Sequence, residues 1–175
     1  MRYADHPTAE CEVHIEADRD RVWDLVCDIQ LPARFSPELR RVRPLDDTVP
    51  LTQGTRFEGH NHHPFLGEWR TISYVVELTV PSALAWAVVD ADGRFGGGPP
   101  DPANPAATWR FDLTPDAGGT RLRHGVRIGP GRSGLSLAID RSPEREEAIV
   151  RHRLAELRSG IQDTLDGIKR LAELG

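Results

Sequence analysis

Residues 142–174 read SPEREEAIVRHRLAELRSGIQDTLDGIKRLAEL and carry the clearest structural signal in the sequence. Ser142 and Pro143 suit the N-cap and the first position of a helix. From there apolar side chains recur every three or four positions, at Val150, Leu154, Leu157, Ile161, Leu165, Ile168 and Ala172. This spacing predicts one amphipathic helix of about eight turns, with its apolar face against the rest of the protein.

The N-terminal part of the sequence predicts a strand followed by two short helical segments. Residues 8–17 alternate between apolar and polar side chains, which is typical of a half-buried strand. Asp18 can cap a short helix that follows. Residues 31–37, which contain prolines near both ends, predict a second short helical turn.

Six further strands are predicted before the long helix. Turns rich in Gly, Pro or Asp separate them, and they are placed at 38–46, 54–63, 67–80, 83–91, 106–115 and 119–129. Residues 91–106 contain four glycines and four prolines, which predicts an exposed loop. A run of strands followed by a helix predicts an α+β fold. A curved antiparallel sheet of about seven strands, wrapped around one long helix, would leave an internal hydrophobic cavity.

Length and composition narrow the classes of function. A chain of 175 residues is the size of one domain, so we expect residues 1–175 to form a single domain. The net charge of −5 gives no general attraction to nucleic acid. No stretch has the roughly 20 apolar residues of a membrane span, and the N-terminus lacks the apolar run of a signal peptide. We therefore expect a cytoplasmic protein, in which Cys11 and Cys27 are small buried residues rather than a disulfide.

Short motifs along most of the chain give a family resemblance. They are Val22-Trp23-Asp24-Leu25-Val26, Leu31-Pro32 with Phe35 and Pro37, Gly59-x-Asn61 before Trp69, then Trp86, Trp109 and Gly118-Gly119-Thr120-Arg121-Leu122. The sequence resembles the helix-grip superfamily, also called SRPBCC or START-like, and especially its bacterial polyketide cyclase/dehydrase branch. The resemblance implies a small hydrophobic ligand, such as a polyketide, a lipid or an aromatic molecule. Phe35 stands where the family more usually has a tryptophan, and residues 91–106 are longer than the common hairpin.

Alternation along the strands predicts which side chains face such a cavity. On the strands they are Phe57, Asn61, His63, Arg70, Tyr74, Trp86, Asp90, Trp109, Phe111 and His124. Trp69 falls opposite Arg70 on strict alternation, so both can face inward only if a bulge intervenes. We expect Leu157 and Ile161 to complete the ligand contacts from the long helix.

His124 is the leading candidate for chemistry, with Arg70 and Tyr74 beside it. A neutral imidazole among aliphatic neighbours has a lowered pKa and can act as a base. The alternative is a core histidine whose two nitrogens are both satisfied. An inward Arg70, Tyr74 or Asn61 could stabilise an enolate, whereas Arg70 could equally pair with an acid at the rim of the cavity.

Other sites are not expected. In His60-Asn61-His62-His63, two histidines point to one face of a strand and the third points to the other, which does not make a zinc site. The sequence has no P-loop, G-x-G-x-x-G or G-x-S-x-G motif. We therefore expect no metal and no cofactor.

Three functions fit these predictions. The favoured one is a polyketide cyclase/dehydratase-like enzyme that uses acid–base residues in the cavity. The second is a non-catalytic carrier or sensor of a lipid or other hydrophobic molecule. The third is a partner-binding module that uses the outer face of the sheet or the 91–106 loop.

The sheet edges could also pair into a homodimer. Residues 135–139 could form a short lid helix or simply pack on the sheet edge.

Overall fold

A seven-stranded antiparallel sheet curls around one long helix in the computed structural model, which describes residues 1–47 and 50–174. The strands are β1 (Thr8–Ile15), β2 (Leu39–Pro44), β3 (Arg56–His63), β4 (Gly67–Thr79), β5 (Ala83–Asp90), β6 (Ala107–Asp116) and β7 (Gly119–Ile128). Their order across the sheet is β1-β7-β6-β5-β4-β3-β2, with β1 and β2 at the edges. The predicted α+β helix-grip fold is confirmed, with the sheet as a half-barrel.

Three α-helices accompany the sheet in the described residues, namely α1 (Arg19–Val26), α2 (Gly134–Arg141) and α3 (Glu146–Glu173). The Asp18 side chain caps α1, as predicted, by accepting a hydrogen bond from the Arg21 N–H at 2.9 Å. The 28 residues of α3 make about eight turns, as predicted. Ser142 does not cap α3 directly, because a 3-10 turn over Pro143–Arg145 intervenes. Neither described range contains a helix long and apolar enough to span a membrane.

The apolar face of α3 packs mainly over β1 and β7. Ile161, Leu165 and Ile168 of α3 are at most 1% exposed, and Ile15 of β1 and Leu122 of β7 are fully buried with them. Burial of one such side chain stabilises a fold by about 1.5–3 kcal/mol. The middle strands of the sheet curve away from α3, which leaves space between them.

A bulge in β4 decides which of its side chains face that space. The register between β4 and β5 shifts between Val75 and Glu77, so Val76 is the extra residue. Leu78, beyond the bulge, packs against the core. Before the bulge, the side chains that face inward are those of Trp69, Thr71, Ser73 and Val75. The alternation of β4 therefore changes phase at Val76.

Cys11 and Cys27 are both free thiols and half-buried, as expected for small core-facing residues. Burial raises the pKa of the Cys27 thiol to about 11, with the Asp24 carboxylate adding to the effect. Cys27 is therefore a thiol, not a thiolate, at neutral pH.

Candidate ligand cavity

A cavity of about 240 Å³ lies between the concave face of the sheet, α3 and the segment that joins α1 to β2. Helix α2 contributes Gly134 and Leu135 to its wall, so the predicted helix near 135–139 does reach the cavity. The predicted ligand contacts that line it are Phe57, Asn61, Trp69, Trp86, Asp90, Trp109, Phe111, Leu157 and Ile161. An apolar cavity of roughly 150 Å³ can hold a benzene-sized molecule, so this cavity is large enough for one or two fused rings.

Aromatic rings from neighbouring strands form one wall of the cavity. Trp86 on β5 and Trp109 on β6 are directly paired across the strands, and their rings are nearly parallel, 12° apart with centroids separated by 6.5 Å. Phe57 on β3 and Phe111 on β6 approach Trp86 at 6.4 and 5.7 Å. The strand register thus brings flat apolar surfaces together against the cavity.

His124 on β7 continues this wall. Its ring stacks on Phe111 with centroids 4.0 Å apart, and Trp109 lies 5.3 Å away on centroids. Nδ1 lies 3.0 Å from the carbonyl oxygen of Arg110. Burial lowers the pKa of His124 to about 4, although the hydrogen bond to Arg110 partly opposes the shift. His124 is therefore a neutral, oriented imidazole at pH 7.

A second group of polar side chains faces the cavity from β3 and β4. Asn61 Nδ2 lies 3.4 Å from Thr71 Oγ1, and Ser73 is 4% exposed with its hydroxyl on the same side of β4. Gly59 lies directly opposite Thr71 in the register, and a Cβ there would come within 2.8 Å of Thr71 Oγ1. Glycine at position 59 therefore lets these strands hold the Thr71 hydroxyl at the cavity wall.

Arg70 and Tyr74 lie on the opposite face of the sheet, which corrects the prediction that they face the cavity. Arg70 Nη1 donates to Glu58 at 2.8 Å, and its other nitrogens bind Asp92. Tyr74 lies opposite the exposed Arg56 in the register. The inward prediction followed the apolar residues Ile72, Val76 and Leu78. The bulge at Val76 changes the phase of β4, and Ile72, paired with Glu58, lies on the outer face despite being apolar.

Glu58 is the centre of an ion-pair network on this outer face. Its side chain is only 5% exposed, and it accepts from Arg43, His60 and Arg70. Burial alone would raise the pKa of Glu58, but the hydrogen bonds from His60, Arg43 and Arg70 outweigh burial and lower the pKa to about 2. This network holds the strands together and is separate from the cavity.

A charged cluster of Glu38, His63, Arg153 and Glu156, called here the rim cluster, lies where the cavity meets the surface. Arg153 on α3 binds both carboxylate oxygens of Glu38, one of them at 2.8 Å, and also reaches Glu156 at 3.3 Å. His63 does not line the cavity itself, and its Nε2 lies 3.5 Å from Glu156. Burial would raise the pKa of Glu156, but the charge and hydrogen bond of Arg153 lower it below its ordinary value.

The rim cluster is also the place where side chains could hold a metal ion. Donor atoms of Glu38, His63 and Glu156 lie within 4.8 Å of one another. Arg153 already pairs with both carboxylates, however, and its guanidinium occupies both oxygens of Glu38. A cation would have to displace Arg153 to bind there, so the arrangement fits an ion-pair bridge better than a metal site.

Asp90 organises the loop that follows β5. Its two carboxylate oxygens accept the backbone N–H groups of Asp92 and Phe95, at 3.2 and 2.9 Å. These bonds turn the chain so that Phe95 is 3% exposed and packs edge-on to Trp69, with centroids 6.3 Å apart. Arg132 holds the Phe95 carbonyl at 2.7 Å. The loop predicted as exposed therefore sends one aromatic side chain into the cavity wall.

Comparison with known proteins agrees with this architecture. The sequence profile of the family described as polyketide cyclase / dehydrase and lipid transport matches residues 6–173. The chain belongs to this family. No curated protein sequence matches the chain at a significant level.

Solved structures of similar shape include several bacterial proteins. A polyketide cyclase-like protein of Corynebacterium glutamicum is 27% identical, with a TM-score of 0.60 over 95% of this chain and 91% of that one. A protein of Mycobacterium smegmatis is 19% identical, with a TM-score of 0.58 over 95% and 91% of the two chains. The di-domain ARO/CYC StfQ of the steffimycin biosynthetic pathway is 15% identical, with a TM-score of 0.68 over 95% of this chain and 50% of that one. The last two likenesses show the fold alone.

Membership of the polyketide cyclase/dehydrase family makes this a ligand-binding helix-grip protein. Phe35, where the family more usually has a tryptophan, does not line the cavity. Its ring instead packs on Gly167 of α3, where an added Cβ would lie 2.5 Å from the ring. The difference at position 35 therefore affects the anchoring of α3 rather than the shape of the cavity.

Several residues of the site were not identified from the sequence, among them Thr71, Ser73, Phe95, Glu38, Arg153 and Glu156. The β4 bulge hid Thr71 and Ser73, since strict alternation placed them outside. Phe95 is the one large apolar residue among the glycines and prolines of residues 91–106, and that isolation could have marked it. No local pattern links Glu38 to Arg153, because their contact depends on tertiary packing.

Proposed function

We propose that the protein binds a small, uncharged, hydrophobic molecule in this cavity, and that binding itself is its function, as in a carrier or sensor. The observation that carries the proposal is the wall of Trp86, Trp109, Phe111 and His124, whose rings face one enclosed space. Such a wall offers flat apolar contact to a planar or aliphatic ligand.

The charges around the cavity support an uncharged ligand. Asp90 is satisfied by two backbone N–H groups, while Glu38 and Glu156 are paired with Arg153. A charged ligand would have to leave water without a free counter-charge, which costs several kcal/mol.

The placement of the predicted catalytic residues favours binding over catalysis. Of the three predicted stabilisers of an enolate, Arg70 and Tyr74 lie on the outer face of the sheet, Arg70 in ion pairs, and Asn61 lines the cavity. With a pKa of about 4, His124 is a weak base at neutral pH. Efficient proton abstraction from carbon needs a base of higher pKa and a matched stabiliser of the negative charge.

One observation favours a second candidate, a polyketide cyclase/dehydratase-like enzyme. His124 presents a nitrogen lone pair to the cavity, and the Asn61, Thr71 and Ser73 side chains could hydrogen-bond an enolate oxygen. In that reaction Nε2 would take a proton from the carbon between two ketones, and the resulting carbanion would attack a third carbonyl, whose oxygen becomes an alkoxide and takes the proton back from His124. Loss of that hydroxyl group with the second proton of the attacking carbon would then release water. The neighbour StfQ is an ARO/CYC from a biosynthetic pathway, although at 15% identity it shows only the fold.

Binding can be tested with the uncharged fluorescent probe N-phenyl-1-naphthylamine. We expect saturable binding with one probe per protein and an increase in probe fluorescence. Ser73→Phe places a ring in the cavity and should weaken binding at least tenfold. Val76→Phe, on the outer side of the same strand at an exposed position, is the matched control and should bind like the wild type.

The outcomes separate the candidates. Equal binding by wild type and a folded Ser73→Phe variant would place the probe outside the cavity and contradict the proposal. A synthetic poly-β-ketone thioester tests the second candidate. Turnover that is lost in His124→Leu, with probe binding retained, would make the protein an enzyme, whereas no turnover above buffer would favour the carrier or sensor.

A further inference from the structure

The orientation of His124 limits what it can offer a ligand. Nδ1 lies 3.0 Å from the Arg110 carbonyl oxygen, which can only accept, so Nδ1 carries the proton. In a neutral imidazole the other nitrogen, Nε2, is then a lone-pair acceptor. Within residues 1–47 and 50–174, Nε2 makes no hydrogen bond.

The imidazole cannot easily change this role. Its ring is held between the strands by stacking on Phe111 at 4.0 Å, with the planes only 13° apart, and Trp109 and Trp86 flank it. Turning the ring over would break the Nδ1–H bond to the Arg110 carbonyl and bring a lone pair, or a C–H, against that oxygen instead. The lowered pKa of about 4 further keeps Nε2 unprotonated at neutral pH. The aromatic wall thus contains one fixed hydrogen-bond acceptor.

We infer that the ligand is an uncharged aromatic hydroxyl compound, whose O–H donates to His124 Nε2 while its ring lies against Trp86 and Trp109. The inference rests on the proposed function and specifies the chemistry of its ligand. A molecule without a donor at this position would bury Nε2 unpaired, which disfavours its binding.

The opposite wall is consistent with such a ligand. The hydroxyl groups of Thr71 and Ser73 and the amide of Asn61 can each donate or accept. They can therefore bind further oxygen substituents of either kind on the distal side of a ring. His124 alone among these groups distinguishes a ligand that donates a hydrogen bond from one that accepts, because its Nε2 can only accept.

Three naphthalene probes test this inference by isothermal titration calorimetry at pH 7. They are 2-naphthol, which has the donor, 2-methoxynaphthalene, in which a methyl group replaces the hydroxyl hydrogen, and 2-naphthoate, which is charged. We expect 2-naphthol to bind about tenfold more tightly than 2-methoxynaphthalene, although the methyl ether is the more apolar molecule. We expect 2-naphthoate to bind most weakly.

Variants of His124 test whether Nε2 causes the preference for 2-naphthol over 2-methoxynaphthalene. His124→Leu should bring the two uncharged probes within about twofold of each other, and His124→Gln, which can place an amide oxygen near the Nε2 position, should keep part of the preference. Equal or tighter binding of 2-methoxynaphthalene by the wild type would overturn the inference while leaving cavity binding intact. A preference that survives in His124→Leu would overturn it as well. Failure of every probe to bind would contradict the proposed function itself.

Should His124→Leu fail to fold, the comparison of the two uncharged probes on the wild type still decides the matter, because it needs no variant.

Discussion

Phe111 and His124 lie directly opposite each other on β6 and β7, and their rings stack with centroids 4.0 Å apart. This pairing buries the imidazole while its Nδ1–H remains bonded to the Arg110 carbonyl. The result is a polar group in an apolar wall that is satisfied on one side and open to the cavity on the other. Stability and ligand choice both depend on that arrangement.

Burial of His124 should make the fold sensitive to mild acid. The pKa of His124 is about 4 in the fold and 6.5 ordinarily, so the unfolded chain binds the extra proton between these values. The stability due to the neutral imidazole is complete above pH 6.5 and is lost as the pH falls to 4, by about 3 kcal/mol in all. Urea unfolding at pH 7 and pH 4.5 should show this loss in the wild type and a smaller loss in His124→Leu.

A control for this prediction is His152→Leu, since the His152 side chain is 75% exposed. It should keep the full acid sensitivity of the wild type. If His124→Leu lost as much stability between pH 7 and 4.5 as the wild type does, the buried neutral imidazole would not be its source.

Arg70 should matter for stability and not for ligand binding. Arg70→Gln removes one partner of the Glu58 carboxylate, and we expect the free energy of unfolding at pH 7 to fall. The pKa of Glu58 is lowered from 4.5 to about 2, so its ion pairs stabilise the fold above about pH 4.5. The difference between the variant and the wild type should therefore shrink as the pH falls from 4.5 towards 2.

The affinity of Arg70→Gln for N-phenyl-1-naphthylamine should stay within twofold of the wild type. A tenfold loss of affinity without loss of stability would return Arg70 to the binding site and contradict its place on the outer face.

The positions of the helices and strands could be predicted well from the sequence, because each depends on the spacing of apolar residues within its own segment. The heptad-like spacing from Val150 to Ala172 was enough to predict α3, and alternation was enough to place the strands within two residues at most of their ends. Alternation failed at β4 for a physical reason. Val76 is an extra residue in β4, so the side chains before it and after it follow opposite alternation. A bulge that contains no Gly has no reliable sequence signal.

The polar parts of the site were harder to predict than its aromatic wall. Trp86, Trp109 and Phe111 could be placed because each sits mid-strand on the apolar side of a regular alternation. The bridge from Arg153 to Glu38 joins residues 115 positions apart and depends on where α3 crosses the sheet. Its partners therefore become visible only in the folded structure.

Packing between Phe35 and Gly167 should be intolerant of a methyl group. A Cβ on residue 167 would lie 2.5–2.6 Å from three carbon atoms of the Phe35 ring. Gly167→Ala should therefore lower the free energy of unfolding by about 1–3 kcal/mol, although alanine is the better helix former by about 1 kcal/mol. Thermal unfolding followed by circular dichroism measures the change.

As a control, Gly167→Ala is also made in the Phe35→Leu variant, whose smaller side chain at position 35 leaves room for the added methyl group. The cost of Gly167→Ala should fall by half or more in Phe35→Leu. An equal cost in both backgrounds would mean that the Phe35 ring is not what excludes a side chain at position 167.

The rim cluster should control how fast a ligand leaves. Arg153 links α3 to Glu38, which immediately precedes β2, across the place where the cavity meets the surface. Arg153→Leu breaks this link, and we expect the dissociation rate of N-phenyl-1-naphthylamine in stopped-flow experiments to rise several-fold. Arg151→Leu, an exposed position on the same helix, should leave the rate unchanged. Unchanged release from Arg153→Leu would show that ligands leave by another route.

The nitrogen-15 NMR spectrum of the His124 imidazole, recorded at pH 7 before and after addition of 2-naphthol, tests most directly whether His124 contacts the ligand. We predict one tautomer with the proton on Nδ1, a free lone pair on Nε2, and a shift of the Nε2 resonance that saturates at one naphthol per protein. Saturable binding with the His124 resonances unmoved would place the ligand elsewhere. That result would contradict the claim that this cavity, with His124 in its wall, is the binding site.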